Sequence, residues 1–234
     1  MSNLKKANPL AAGVTRQPRT WDFMETLFVC LIAYAVDTMA LNFVLSTMWD
    51  LDAFMPQSSS PHARVGLALI IACPAAVAVF WIAIRIAGRG FAEYLALNWP
   101  TPRELVYTLT AAAIVVLIEF VVWPFDGHRP SIASGALLIS LIGSCIAAPI
   151  SEEIAFRGFM FRGLAQSFVG PVGAIVLTSV AFAMIHTGYP WLARSWVILY
   201  GLVLGYFRWR TNSTWLTVIV HSVVNMLVFL EMGS

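Results

Sequence analysis

Hydrophobic residues run in long unbroken stretches along the chain, without the period-two alternation of a half-buried strand. Seven such stretches, over residues 27–48, 65–86, 105–125, 132–150, 172–186, 192–207 and 214–230, are bounded by charged residues or by Pro and Gly. Crossing about 30 Å of hydrocarbon takes roughly 20 helical residues, so these stretches read as transmembrane helices, the fifth and sixth being short. They predict an all-α fold, a polytopic helical membrane protein with about seven to eight transmembrane helices. The lack of alternation argues against a membrane barrel. A polar tail over residues 1–20, carrying Lys5, Lys6, Arg16 and Arg19, precedes a membrane domain over 21–234. The first apolar run is long and contains Asp37 and Asn42, with no small-x-small site after it, which reads as an anchored helix and not a cleaved signal peptide.

Composition agrees: 59% of the 234 residues are hydrophobic, only 11% are charged, and the mean hydropathy is +0.79. Such a chain is not an ordinary soluble domain. A net charge of +2 without clustered cations excludes nucleic acid as a main partner. The three cysteines, Cys30, Cys73 and Cys145, all lie in apolar runs and imply no disulfide framework. Positive residues prefer the cytoplasmic side. With the N-terminus inside, inner segments hold eleven Lys and Arg, and outer ones hold Arg64, Arg129 and Arg194. The expectation is a cytoplasmic N-terminus in a bacterial inner membrane.

A charge at mid-bilayer costs about 2.5–3.5 kcal/mol on insertion scales, so ionisable residues inside the spans are functional candidates. Glu152, Glu153 and Arg157 continue the fourth helix just past its apolar stretch, and His186 and His221 fall in the fifth and seventh; Asp37 and Glu119 stand alone in the first and third and are expected to be structural. Residues four apart share a helix face, which pairs Glu153 with Arg157, Phe182 with His186, and His221 with Asn225. Glu152 points about 100° away from Glu153 and keeps no local arginine, which leaves it available for chemistry. Glu153 and Arg157 are expected to form a supporting ion pair, with Phe182 packed beside His186. Counted from the turns near Phe168 and Thr211, Glu152, His186 and His221 reach comparable depths. Pro149 is expected to kink the fourth span or to start a new segment there.

In this order, Glu152-Glu153-x-x-x-Arg157, Phe182-x-x-x-His186 and His221-x-x-x-Asn225, with Phe-Arg-Gly after the glutamates and Thr187-Gly188 after His186, resemble the CAAX protease and bacteriocin-processing (Abi) family of intramembrane proteases. The resemblance covers a core of about 143–230. It implies eight helices, an eighth arising where Pro149 divides the fourth span. It also implies hydrolysis of membrane-associated peptide or protein substrates within the lipid bilayer. Glu152 would be the general base, His186 would hold or deprotonate the water, and His221 with Asn225 would stabilise the oxyanion. Asparagine is also ordinary glue between membrane helices.

Metal dependence stays open at this point. Glu152, His186 and His221 form a credible catalytic zinc set. The lack of His-Glu-x-x-His spacing favours a site with no cofactor. Ile132-Ala-Ser-Gly135 lacks the first glycine of a serine-type Gly-x-Ser-Gly motif, and a single intramembrane aspartate, Asp37, does not make an aspartyl pair. Two alternatives come from other classes. One is a proton- or ion-coupled transporter using the same acids and histidines, the other a noncatalytic immunity protein that binds a peptide. A polar substrate cavity is expected between the fourth, fifth and seventh spans.

Overall fold

The computed structural model describes residues 18–52, 61–122 and 134–233. The polar tail expected over 1–20 lies outside the described residues up to residue 17. Eight helices follow in order: α1 Phe23–Asp52, α2 Pro61–Ile86, the single turn α3 Phe91–Tyr94, α4 Pro102–Val122, α5 over residues 134–165, α6 Gly170–Ile185, α7 Trp191–Thr211 and α8 Thr214–Gly233. Phe23–Met48, His62–Ile86, Pro102–Val122 and Leu137–Ala165 are long and apolar enough to cross a membrane, and Gly170–Ile185 and Thr214–Phe229 are shorter apolar helices. The protein is a polytopic helical membrane protein. Its outer surface carries large apolar side chains, Met39, Phe43, Val121 and Phe168 among them, as a lipid-facing surface requires.

Local chemistry sets several helix ends. Asp22 and Glu25 form a reciprocal capping box at α1, the Glu25 N–H donating to Asp22 Oδ1 at 2.8 Å and the Asp22 N–H to Glu25 Oε2 at 3.1 Å. Thr101 and Glu104 repeat it at α4. Asn212 adopts a left-handed backbone, φ 49°, that closes α7, and Ser213 Oγ then accepts from the Leu216 N–H to start α8. The stretch after α3 docks on this turn: the Thr214 N–H donates to Ala96 O at 2.9 Å and Thr214 Oγ1 to Leu95 O at 2.5 Å. These bonds join the α2–α4 connection to the α7–α8 turn, with Tyr94 wholly buried beneath them. Burial pushes its phenol up to about 12.

The fourth span departs from the sequence expectation. Pro149 does not divide it, and the additional eighth helix is the short α3. Proline removes one backbone donor from the ladder. Here the helix widens into a π-turn over Gly143–Ala147, closed by the Ala148 N–H donating to Gly143 O, and passes through Pro149 unbroken. A second π-turn, Ile154–Met160, follows the double glutamate directly. Such widenings often mark functional positions in helices. α5 is the shared wall of the protein. Ile154 and Phe159 pack against Phe80 and Tyr94 of α2 and α3, and Met160 and Leu164 against Ala174 and Ile175 of α6. Phe156 reaches a third cluster around Phe182, Tyr200 and Leu216.

Close helix approach depends on glycine. A methyl group at Gly143 would overlap the Gly66 backbone, and one at Gly66 would stand 2.6 Å from Ile139 O, so α2 and α5 touch there main chain to main chain. Gly143→Val is therefore expected to destabilise the protein by about 1–3 kcal/mol through overpacking. Gly188→Ala, which meets open space, should change it by less than about 0.5 kcal/mol. Thermal unfolding in detergent distinguishes the two; equal melting midpoints would contradict the close approach.

Candidate active site

The middle of α5 brings two adjacent glutamates into different surroundings. Glu153 and Arg157 are wholly buried, one helical turn apart, and Arg157 Nη1 donates to Glu153 Oε1 at 2.9 Å. The expected pair therefore forms. The guanidinium also lies over the Phe182 ring, 4.4 Å from its centroid, and Nη2 donates to Gly201 O of α7 at 3.4 Å. Glu152, with 23% of its side chain exposed, faces a cavity. Neighbours in sequence thus divide into one carboxylate enclosed in an ion pair and one open to a ligand.

His221, 68 residues further on, reaches both. Its Nδ1 lies 2.9 Å from Glu153 Oε1, and its Nε2 lies 3.8 Å from Glu152 Oε2. An ionised carboxylate only accepts hydrogen bonds, so Nδ1 carries the proton and Nε2 is turned towards Glu152. Phe182 and Tyr200 hold the imidazole between them, their rings 5.6 Å and 5.8 Å away and nearly perpendicular to it.

His186 lies one residue beyond the end of α6, not inside the span as its sequence position predicted. Its backbone leaves the helical region with ψ 58°, while the ring stays against Phe182 at 4.9 Å. Nδ1 is 2.9 Å from Phe182 O, and a carbonyl accepts only, which again places the proton on Nδ1 and frees Nε2. Glu152 lies within electrostatic range of both His186 and His221. Asn225 is placed differently. Its Nδ2 donates to Ser144 O in the first π-turn at 2.9 Å, bridging α8 to α5 and leaving its second N–H uncommitted by that bond.

Three contributors escape a reading by local spacing. Arg194, counted in the sequence among outer-loop charges, clamps the turn that carries His186: Nε donates to His186 O at 3.1 Å and Tyr189 O at 3.0 Å, and Nη2 to Thr187 O at 2.6 Å. Arg208, counted as a cytoplasmic charge, is buried and donates through Nε to Arg157 O and Thr214 Oγ1, both at 2.9 Å. With Arg157 and Arg208 both buried, the eleven inner cations become nine against three. Tyr200 is the third, and only its place one residue before Gly201 in an otherwise apolar run hints at a close approach.

The cavity beside Glu152 measures about 500 Å³ and differs from the expected one. It opens between α1, α2, α5 and α6, not towards α8, and is mostly apolar, walled by side chains such as Leu27, Leu31, Phe80, Phe156, Met184 and Ile185. The polar groups on its wall include Asp37, Ser151 and Glu152. Among the described residues, no three His, Cys, Asp or Glu side chains converge as a metal-ligand set. As placed, Glu152, His186 and His221 do not form such a set.

Removing one partner of a wholly buried ion pair leaves an uncompensated charge. Arg157→Met is expected to cost about 3–5 kcal/mol, and Glu153→Met added to it should recover part of the loss. Chemical or thermal unfolding of the three variants tests this, and a double variant less stable than the single one would contradict the pairing.

Comparison with known proteins bears on the same region. The family described as Type II CAAX prenyl endopeptidase Rce1-like matches across residues 134–227. UPF0177 protein YxdF of Lactococcus lactis is 35% identical over 81 residues, covering 35% of this chain and 43% of that protein. Uncharacterized protein YyaK of Bacillus subtilis is 23% identical over 166 residues, covering 63% and 54%. The chain spans about half the length of these curated relatives. No solved structure matches it. The match begins with α5 and ends within α8, so the part of the chain that is similar to this family encloses Glu152, His186, His221 and Asn225.

Proposed function

We propose that the protein is an intramembrane endopeptidase that hydrolyses peptide bonds of membrane-associated peptides or proteins, with Glu152 as the general base. The observation that carries this reading is the contrast between the paired glutamates: Glu153 is wholly buried with Arg157 and His221, whereas Glu152 opens to the cavity with His221 Nε2 beside it. A base must reach both water and substrate, and Glu152 is the member of the pair with that access.

Glu152 takes a proton from water as the oxygen attacks the peptide carbonyl carbon. The His186 Nε2 lone pair holds that water in line. The carbonyl oxygen becomes an oxyanion, to which His221 donates from Nε2 when that nitrogen also carries a proton, and Asn225 donates through the N–H not used on Ser144. Collapse of the tetrahedral species breaks the C–N bond, and Glu152 returns its proton to the leaving amine. Donors already fixed by the fold cost no reorganisation when the charge develops. Arg194 acts at one remove, by holding the turn that presents His186. The cytoplasmic N-terminus and bacterial inner membrane belong to this proposal. So does independence from zinc, since Glu152 and the two histidines suffice for each proton transfer.

A proton relay, the transporter alternative, requires hydrogen-bonded polar groups across the span. The cavity next to Glu152 is mostly aliphatic and aromatic, which suits an apolar peptide segment better.

Purified protein in phosphatidylcholine vesicles, given a library of membrane-tethered peptides, is expected to cleave a subset of them, and Glu152→Gln to lower that rate about 10²–10⁴-fold while the melting midpoint is retained. Cleavage should persist in millimolar EDTA. Equal cleavage by the Glu152→Gln protein would overturn the assignment of the base.

A further inference from the structure

Asp37 lies outside the matched domain and outside every motif, yet it lines the same cavity as Glu152. Its position on α1 belongs to the stripe Leu27, Cys30, Leu31, Tyr34 and Asp37, all on the cavity wall. The antiparallel register of α1 and α5 sets its depth. Gly163 of α5 lies directly against Thr26 of α1, where a methyl group would overlap the threonine side chain. Counting eleven residues along each helix from that contact reaches Asp37 on one and Glu152 on the other. With the π-turn Ile154–Met160 shortening the α5 side somewhat, this count puts the two carboxylates at comparable depth on the wall of the one cavity.

Asp37 differs from Glu153 in its company. Glu153 has Arg157 and His221, whereas among the described residues no basic side chain forms an ion pair with Asp37. A carboxylate on an apolar wall inside a membrane is costly unless something pairs with it. No fold requirement visible in the packing asks for a charge here, since its neighbours on the stripe are apolar or aromatic. A cation brought in by a ligand would remove that cost, and a neutral or anionic group of the same size would not.

We propose that Asp37 is a specificity residue, forming a cation-recognising subsite opposite the base. It accepts hydrogen bonds from a lysine or arginine side chain, or a protonated amine, lying close to the scissile bond of an otherwise apolar substrate segment. This inference rests on the hydrolytic reading of Glu152. It adds that the preferred peptides carry one positive charge at the depth of the reaction, with the rest of the segment filling the apolar walls.

The test uses the full chain in phosphatidylcholine vesicles and a series of Leu/Ala-rich membrane peptides that differ at one residue beside the cleavage point: lysine, its neutral isostere norleucine, or glutamate. Wild type is expected to favour lysine over norleucine by at least about tenfold in kcat/KM, and to disfavour glutamate. In Asp37→Asn the lysine-to-norleucine ratio should fall towards one, and in Asp37→Lys the order of the charged peptides should reverse. A purely structural residue would change all three peptides alike and leave the ratios intact. Cleavage indifferent to charge in wild type, or a lysine preference that survives Asp37→Asn, would overturn the subsite while leaving the protease reading in place. No cleavage of any peptide by wild type would overturn the hydrolytic reading and the subsite together.

Discussion

A single carboxylate oxygen, Glu153 Oε1, joins three helices. It accepts from Arg157 within α5 and from His221 of α8, each at 2.9 Å, while the same arginine reaches Gly201 O of α7. Neither Glu153 nor Arg157 is exposed, so neither charge can be stabilised by water. In that setting each group depends on the others: the arginine keeps Glu153 an acceptor, and the acceptor fixes the orientation of the imidazole. Orientation is the functional gain. A histidine held through Nδ1 presents Nε2 to Glu152, which the fold leaves open to the cavity.

The rest of the architecture keeps this contact in place. α5 packs on α1, α2, α6 and α8, and it carries the glutamates past a proline by widening into a π-turn instead of breaking. The glycine contact with α2 lies at the first residue of that turn, and Asn225 binds Ser144 within it. Below the glutamates, Arg208 holds the Arg157 carbonyl inside the second π-turn. Buried side chains therefore satisfy the backbone where α5 departs from regular geometry, as a membrane interior demands. On the other side of the site, Arg194 makes the same kind of bond to the turn bearing His186.

The sequence made the local layer of this design legible and little beyond it. Unbroken apolar runs located the long helices, and four-residue spacing paired Glu153 with Arg157 and Phe182 with His186 correctly, because those contacts depend only on helical periodicity. Depth counting from the turns also brought His186 and His221 to the level of Glu152. What spacing cannot encode is which partner a side chain meets across helices. His221 finds Glu153, and Asn225 finds Ser144, through packing that separates them by 68 and 81 residues. The cavity was expected to be polar and to open towards α8. The one beside Glu152 is mostly apolar and opens towards α1, α2 and α6, with Ala33 and Ala76 among its lining. Arg194 and Arg208 were counted as surface cations, since nothing in a string of residues distinguishes an arginine in a loop from one clamping carbonyls beneath it.

The orientation of His221 is the point on which structure and chemistry meet, and its ring nitrogens report it directly. Solid-state ¹⁵N NMR of ring-labelled histidine in lipid bilayers, with His221 assigned by difference from His221→Ala, should show a protonated Nδ1 hydrogen-bonded to a carboxylate. That signal should shift when Glu153 is replaced by Gln. A bare Nδ1, or one indifferent to Glu153, would contradict an imidazole held by the buried ion pair and turned towards Glu152.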